Sequence, residues 1–140
     1  MRSFSAQNKY GSYTLSYCNQ IIYSTIVGSI SDSLATKFNH HFAALLDVIP
    51  EGNYGFLGDL SGCQAYTGEA EKRLPESLVR GVAAGCIVDA YCVGTALSIA
   101  QLKRVRSEGG IKTPLDEHIF ETIQDAENFI HLTLANYLQR

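Results

Sequence analysis

The chain has 140 residues, 46% hydrophobic and 18% charged, with a formal net charge of −3. That length suits one domain with a real core, and the mild acidity argues against nucleic acid as the main partner. No cofactor-binding signature such as a Gly-rich phosphate loop is present, nor are metal-ligand spacing or a Ser–His–Asp order.

Residues 1–12 are polar and predict a loose N-terminal segment, with one domain over 13–140. The opening residues lack the apolar stretch of a signal peptide. Tyr13–Tyr17 alternates and Ile21–Ile30 is rich in β-branched residues, so the two predict a hairpin turning at Asn19-Gln20. Its outer strand is a candidate edge for homodimer pairing. Ser31-Asp32 then opens a helix whose apolar stripe is Leu34, Phe38, Phe42, Leu45 and Ile49; Pro50 and Gly52 end it.

Tyr54–Leu60 reads as a buried strand, followed by a loop that begins at Ser61-Gly62. Thr67 suits an N-cap for a short helical turn from Gly68, and Pro75 predicts a restart running to about Val82. Gly81–Ala100 is long enough to span a bilayer, but Asp89 at its middle would cost about 3 kcal/mol. It divides better into a strand, Cys86–Val93, and a helix capped by Thr95, so no membrane span is expected. That helix runs to about Arg106 with Ala96, Ile99, Leu102 and Val105 inward, and Gly109-Gly110 terminates it. The basic cluster Lys103, Arg104 and Arg106 complements its dipole. A loop containing Pro114 leads to a short strand at Ile119-Phe120. Thr122 and Asp125 then cap the last helix, with Ala126, Ile130, Thr133, Leu134, Tyr137 and Leu138 inward. The order is ββαβαβαβα, an α/β domain with a mixed sheet flanked by helices.

The four cysteines, Cys18, Cys63, Cys86 and Cys92, form no C-x-x-C pair and read as free, buried thiols in a reducing cytoplasm. His40 and His41 have no partner at ligand spacing, and His118 and His131 stand alone, so no metal site is expected. Asp89 is unusual in an apolar strand: a sheet edge, a nearby arginine or a pocket each accounts for it.

Three stretches resemble a known group: Gly28-Ser29-Ile30-Ser31, Asp59-Leu60-Ser61-Gly62, and Phe120-Glu121-Thr122 with Asp125-Ala126 and Phe129-Ile130. With the element order, they resemble STAS domains (sulphate transporter and anti-sigma-factor antagonist). The nearest likeness is to the single-domain, SpoIIAA-like group of the sporulation anti-sigma-factor antagonist. The resemblance implies a non-enzymatic regulatory module that docks a protein partner. It also implies a phosphorylatable Ser or Thr where the segment after the Asp-Leu-Ser strand meets the next helix. Gly68 stands at that acceptor position, and Thr67 stands where those proteins carry Asp.

The candidate docking and phosphorylation residues are therefore Asp59, Ser61, Thr67, Gly68 and Glu69. The plainer reading of Thr67 is a helix cap alone. A second reading, a carrier of a small apolar ligand or lipid, would use Phe56, Tyr66 and Tyr91 as pocket walls. A third, an enzyme, would use Asp59 as base or Cys63 as nucleophile.

Overall fold

Asn19 and Gln20 both adopt the left-handed region, with φ of 51° and 65°. This is the two-residue hairpin turn whose twist matches its flanking strands. In the computed structural model, which describes residues 3–139, the turn joins β2 (Gly11–Cys18) to β3 (Ile21–Ile30). Ahead of them lies β1 (Ser3–Gln7), antiparallel to β2 from Ser3 opposite Ser16 to Gln7 opposite Ser12. The expected loose segment over residues 1–12 is therefore corrected, although residues 1 and 2 lie outside the described residues. The alternation explains the strand: Phe4 and Ala6 turn onto the core while Ser3, Ser5 and Gln7 face out. Asn8 folds the connection, its Oδ1 accepting from the amides of Tyr10 (2.9 Å) and Gly11 (3.0 Å).

The sheet has five strands in the order β1-β2-β3-β4-β5. The crossover helix α1 (Asp32–Val48), capped by Ser31, makes β4 (Tyr54–Tyr66) parallel to β3. Two short helices, α2 (Gly68–Arg73) and α3 (Pro75–Ala83), then lead to β5 (Cys86–Val93), parallel to β4. The chain closes with α4 (Ala96–Glu108), a 3-10 turn at Leu115–His118 and α5 (Ile123–Leu138).

The helices cover both faces. Phe38, Phe42, Ala70, Leu74, Leu102 and Val105 bring α1 to α4 onto one core. Ala126, Ile130 and Leu134 of α5 pack on Ile21, Leu57, Val88 and Ala90 on the other face. The Gly81–Ala100 stretch divides into the end of α3, β5 and the start of α4. Among the described residues no helix is long and apolar enough to cross a membrane.

Three local expectations change. Ile119 makes only an isolated bridge to Tyr91, with the Phe120 amide donating to Tyr91 O at 2.8 Å. The 3-10 turn before it and the Thr122 cap after it leave no length for a strand. Ala96 is exposed because α4 turns Ser98, Gln101, Leu102, Val105 and Arg106 inward. On α5 the buried residues stop at Leu134, leaving Tyr137 and Leu138 exposed.

Asp89 pairs with an arginine, as one of its three readings supposed. Arg106 Nε and Nη2 reach its two carboxylate oxygens at 2.8 and 3.0 Å. The two residues are 2% and 5% exposed for Arg106 and Asp89 respectively. Tyr91 donates to Asp89 Oδ2 at 2.8 Å, and Arg106 also holds Thr113 O (2.6 Å) and Thr113 Oγ1 (2.9 Å). One buried guanidinium thereby ties α4, β5 and the loop before the 3-10 turn.

Arg106→Met should destabilise the fold by about 3–5 kcal/mol in urea unfolding, because it leaves a buried carboxylate unpaired. The double change Asp89→Leu with Arg106→Met should recover a large part of that loss; no recovery would mean that the pair is not the stabilising unit. At β1, Phe4 stacks on His41 (5.0 Å between centroids) and Tyr13 Oη lies 2.7 Å from His41 Nδ1. Burial, then the neighbouring His40 and Lys37, hold the His41 pKa below its ordinary 6.5. The unfolded chain then takes up the proton first, so this contribution is full above pH 6.5 and declines as pH falls below it. Urea midpoints should fall between pH 7.5 and 5.5, and fall less in His41→Gln.

Candidate functional site

The end of β4 is built differently from its beginning. Pairing with β5 stops at Leu60 opposite Val93, but β4 continues along β3 to Tyr66 opposite Ile30. Gly94 lets the chain leave there, since a Cβ on it would come within 2.6 Å of Ser61 O. Side chains of α4 then replace the missing strand. Ser98 Oγ donates to Cys63 O at 3.0 Å. The Gln101 amide binds Tyr66 twice, accepting from its N–H and donating to its carbonyl, both at 2.8 Å. A strand edge that would otherwise be buried without partners is thus satisfied.

The helix start follows directly. Thr67 N–H donates to Ile30 O at 2.9 Å, closing the β3–β4 ladder. Its own Oγ1 accepts from Ala70 N–H at 3.2 Å as the N-cap of α2. Thr67, Gly68 and Glu69 are exposed, while Ala70 plugs the core. A Cβ placed on Gly68 would meet nothing within 4 Å, so a side chain has room there. Across α2, Arg104 holds both oxygens of Glu71 at 2.9 Å, and that hydrogen-bonded pairing keeps the Glu71 carboxyl below its usual range.

Asp59 and Ser61 do not join this group. Asp59 Oδ1 accepts from Ser61 N–H (3.1 Å) and Ser61 Oγ (2.6 Å), a local pairing on the exposed strand. The strand rises about 3.3 Å per residue, so Ser61 lies roughly 20 Å from Thr67. Asp59 also shares parity with Leu57, on the α5 face, whereas α2 packs on the opposite face. The loop expected after Leu60 is strand: Gly62 stays opposite Val27, and two register shifts absorb the irregularity.

Phe56, Tyr66 and Tyr91 do come together, beside Phe38, Leu60 and Leu102, around a cavity of about 40 Å³. That is close to the space of one water, against roughly 300–1,000 Å³ for ligand pockets. In this conformation the three rings act as core. Cys63 is likewise 2% exposed, and burial pushes its thiol up, away from the reactive thiolate. His118 Nδ1 lies 2.6 Å from Asp89 O and His131 Nε2 3.1 Å from Asn19 O, both structural contacts. Among the described residues no group of three or more His, Cys, Asp or Glu is placed to hold a metal.

No protein-family model matches the chain, and no curated protein matches it. Solved structures do. The chain is similar to an anti-sigma factor antagonist from Mycobacterium paratuberculosis, at 11% identity and TM-score 0.58, over 93% of this chain and 95% of that one. It is similar to a sulfate transporter family protein from Wolinella succinogenes, at 17% identity and TM-score 0.63, over 86% and 92%. The fold is that of STAS domains. SLC26A9 carries the same likeness at 16% identity and TM-score 0.62, over 86% of this chain and 21% of that one. Identities this low establish the STAS fold and leave the activity to be argued from this chain's own surface.

Gln101 and Ser98 position the helix start, and sequence reasoning missed both. Their one signal was two polar residues three apart on a helix face that the apolar pattern should have filled. Gln101→Ala should cost about 1–3 kcal/mol by leaving the Tyr66 amide and carbonyl buried without partners. It should also speed hydrogen exchange at Thr67–Ala70. Thr67→Ala should cost only about 1 kcal/mol, the value of a cap. Equal exchange in Gln101→Ala and the parent chain would show that the clamp does not hold the site.

Proposed function

We propose that this chain is a regulatory interaction module that docks a protein partner through the start of α2, by binding and without catalysis. The observation that carries the reading is an exposed Thr67-Gly68-Glu69 step held rigidly on a STAS-type fold. Three neighbouring residues are free to touch a partner, while the backbone beneath them is fixed by Ile30 and Gln101. Preorganised surfaces bind with less ordering cost than mobile ones.

Thr67 is the natural control point. The resemblance places an acceptor hydroxyl at Gly68, which has none, and Thr67 is the adjacent hydroxyl. A phosphate on it would replace the hydroxyl that caps α2 and stand beside Glu69, so it would change both the cap and the charge of the step. It would also place about two negative charges at the centre of the docking face. The four free thiols suit a reducing compartment such as the cytoplasm.

The test compares partners retained by the immobilised parent chain, Thr67→Ser, Thr67→Glu and Gly68→Arg from lysate of the source cells. A partner kept by the parent and Thr67→Ser should bind at least tenfold more weakly to Thr67→Glu and Gly68→Arg. The same proteins retained equally by all four would overturn the docking site. A bound small molecule in native mass spectrometry, absent on denaturation, would favour a ligand carrier instead.

A further inference from the structure

The two edges of the sheet are finished differently. On β5 the outward carbonyls are taken: His118 Nδ1 lies 2.6 Å from Asp89 O, and the Phe120 N–H donates to Tyr91 O at 2.8 Å. Ile119 bridges the same edge at Tyr91. Among the described residues β1 has no such cover along its outer edge. Asn8 N–H donates to Gly11 O at 2.9 Å, which makes Asn8 and Gly11 a hydrogen-bonded pair. Such pairs alternate along an antiparallel ladder, so Ala6 with Tyr13 and Phe4 with Leu15 are the next two. The N–H and C=O groups of Ser3, Ser5 and Gln7 therefore point off the sheet.

Natural edge strands are blunted by lysines, proline, a bulge or a covering segment. Ser3–Gln7 contains no charge and no proline, and its register with β2 runs without a bulge. Ser3, Ser5 and Gln7 are exposed, while Phe4 and Ala6 are half-buried. The strand is also its own complement. A two-fold axis through Ser5 sets Ser5 against the copy's Ser5 and Ser3 against the copy's Gln7. Each outward N–H then meets an outward C=O. No other axis pairs all three residues within Ser3–Gln7. The same axis brings Phe4 opposite the copy's Ala6, large against small, at the closer Cα spacing of about 4.5 Å.

We propose that β1 pairs edge to edge with β1 of a second copy, antiparallel about Ser5, joining the two sheets into one. A copy is the occupant because the order Ser-Phe-Ser-Ala-Gln supplies both halves of the pairing, in one register and with no charge to repel itself. The inference stands apart from the docking role of α2. β1 lies three strands from β4, roughly 14 Å, so the seam leaves Thr67 open in both copies. The dimer thus presents two docking steps, one from each chain.

The test is sedimentation equilibrium of the untagged full chain from about 10 µM to about 1 mM. The average mass should rise from 15.3 kDa towards twice that value. Ser5→Pro should hold it at the single-chain mass, because the Ser5 N–H points outward and pairing with β2 does not need it. Ser5→Lys should do the same by setting like charges face to face on the axis. Unchanged amide shifts outside β1 and β2 check that both variants fold. The register is read from position pairs: Ser3→Lys with Gln7→Lys should weaken association at least tenfold, and Ser3→Glu with Gln7→Lys should restore it. Equal association of those two variants would overturn the register, and with it the pairing about Ser5. A dimer that survives both Ser5→Pro and Ser5→Lys would overturn the proposal by placing the contact elsewhere. So would a parent chain that stays at 15.3 kDa throughout; loss of a captured partner on Ser5→Pro would then assign the edge to another protein.

Discussion

Between Ser61 and Tyr66 the backbone of β4 has a strand on one side and no strand on the other. Buried amides and carbonyls without partners are expensive, so this mismatch between β4 and β5 dictates what α4 must be. The helix cannot present a simple apolar stripe. It carries Ser98 and Gln101 inward to close the strand edge, and Arg106 inward to neutralise Asp89. Leu102 and Val105 fill the space between them. The position of α2, and with it the exposed Thr67-Gly68-Glu69 step, follows from that arrangement.

Two kinds of constraint therefore meet on one helix. The Gln101 contacts are neutral hydrogen bonds that set geometry at the end of β4. The Arg106 contacts are ionic and set the position of β5 and of the segment leading to α5. Each alone leaves a buried polar group stranded if its helix shifts. Together they favour one docking of α4 over slipped alternatives, a use of buried polarity that apolar packing serves poorly.

Local chemistry was legible in the residues. Ser31, Thr67, Thr95 and Thr122 were all readable as N-caps, and each accepts an amide of its helix. Asn19-Gln20 was readable as a turn, and Pro75 as a restart, because backbone preference decides such positions within a few residues. What failed was decided by distant partners. Ser3–Gln7 is too polar to announce a strand and becomes one beside β2, with Phe4 resting on His41. Ser61-Gly62 carries the composition of a loop and stays extended beside β3 and α4. That second miss also joined Asp59 and Ser61 to a helix start from which the extended chain separates them. The fold was therefore easier to read than the site.

The hairpin end of the sheet has a practical use. Cys18 is exposed, whereas Cys63 and Cys92 are buried, and burial pushes the Cys86 thiol up to about 12. A maleimide dye would therefore select Cys18 without any engineered cysteine. The dye would stand beside Ile21, at the far end of β3 from the Ile30–Thr67 contact, roughly 30 Å away. The native chain thus carries its own attachment point for fluorescence or surface immobilisation, on the side of the molecule turned away from α2.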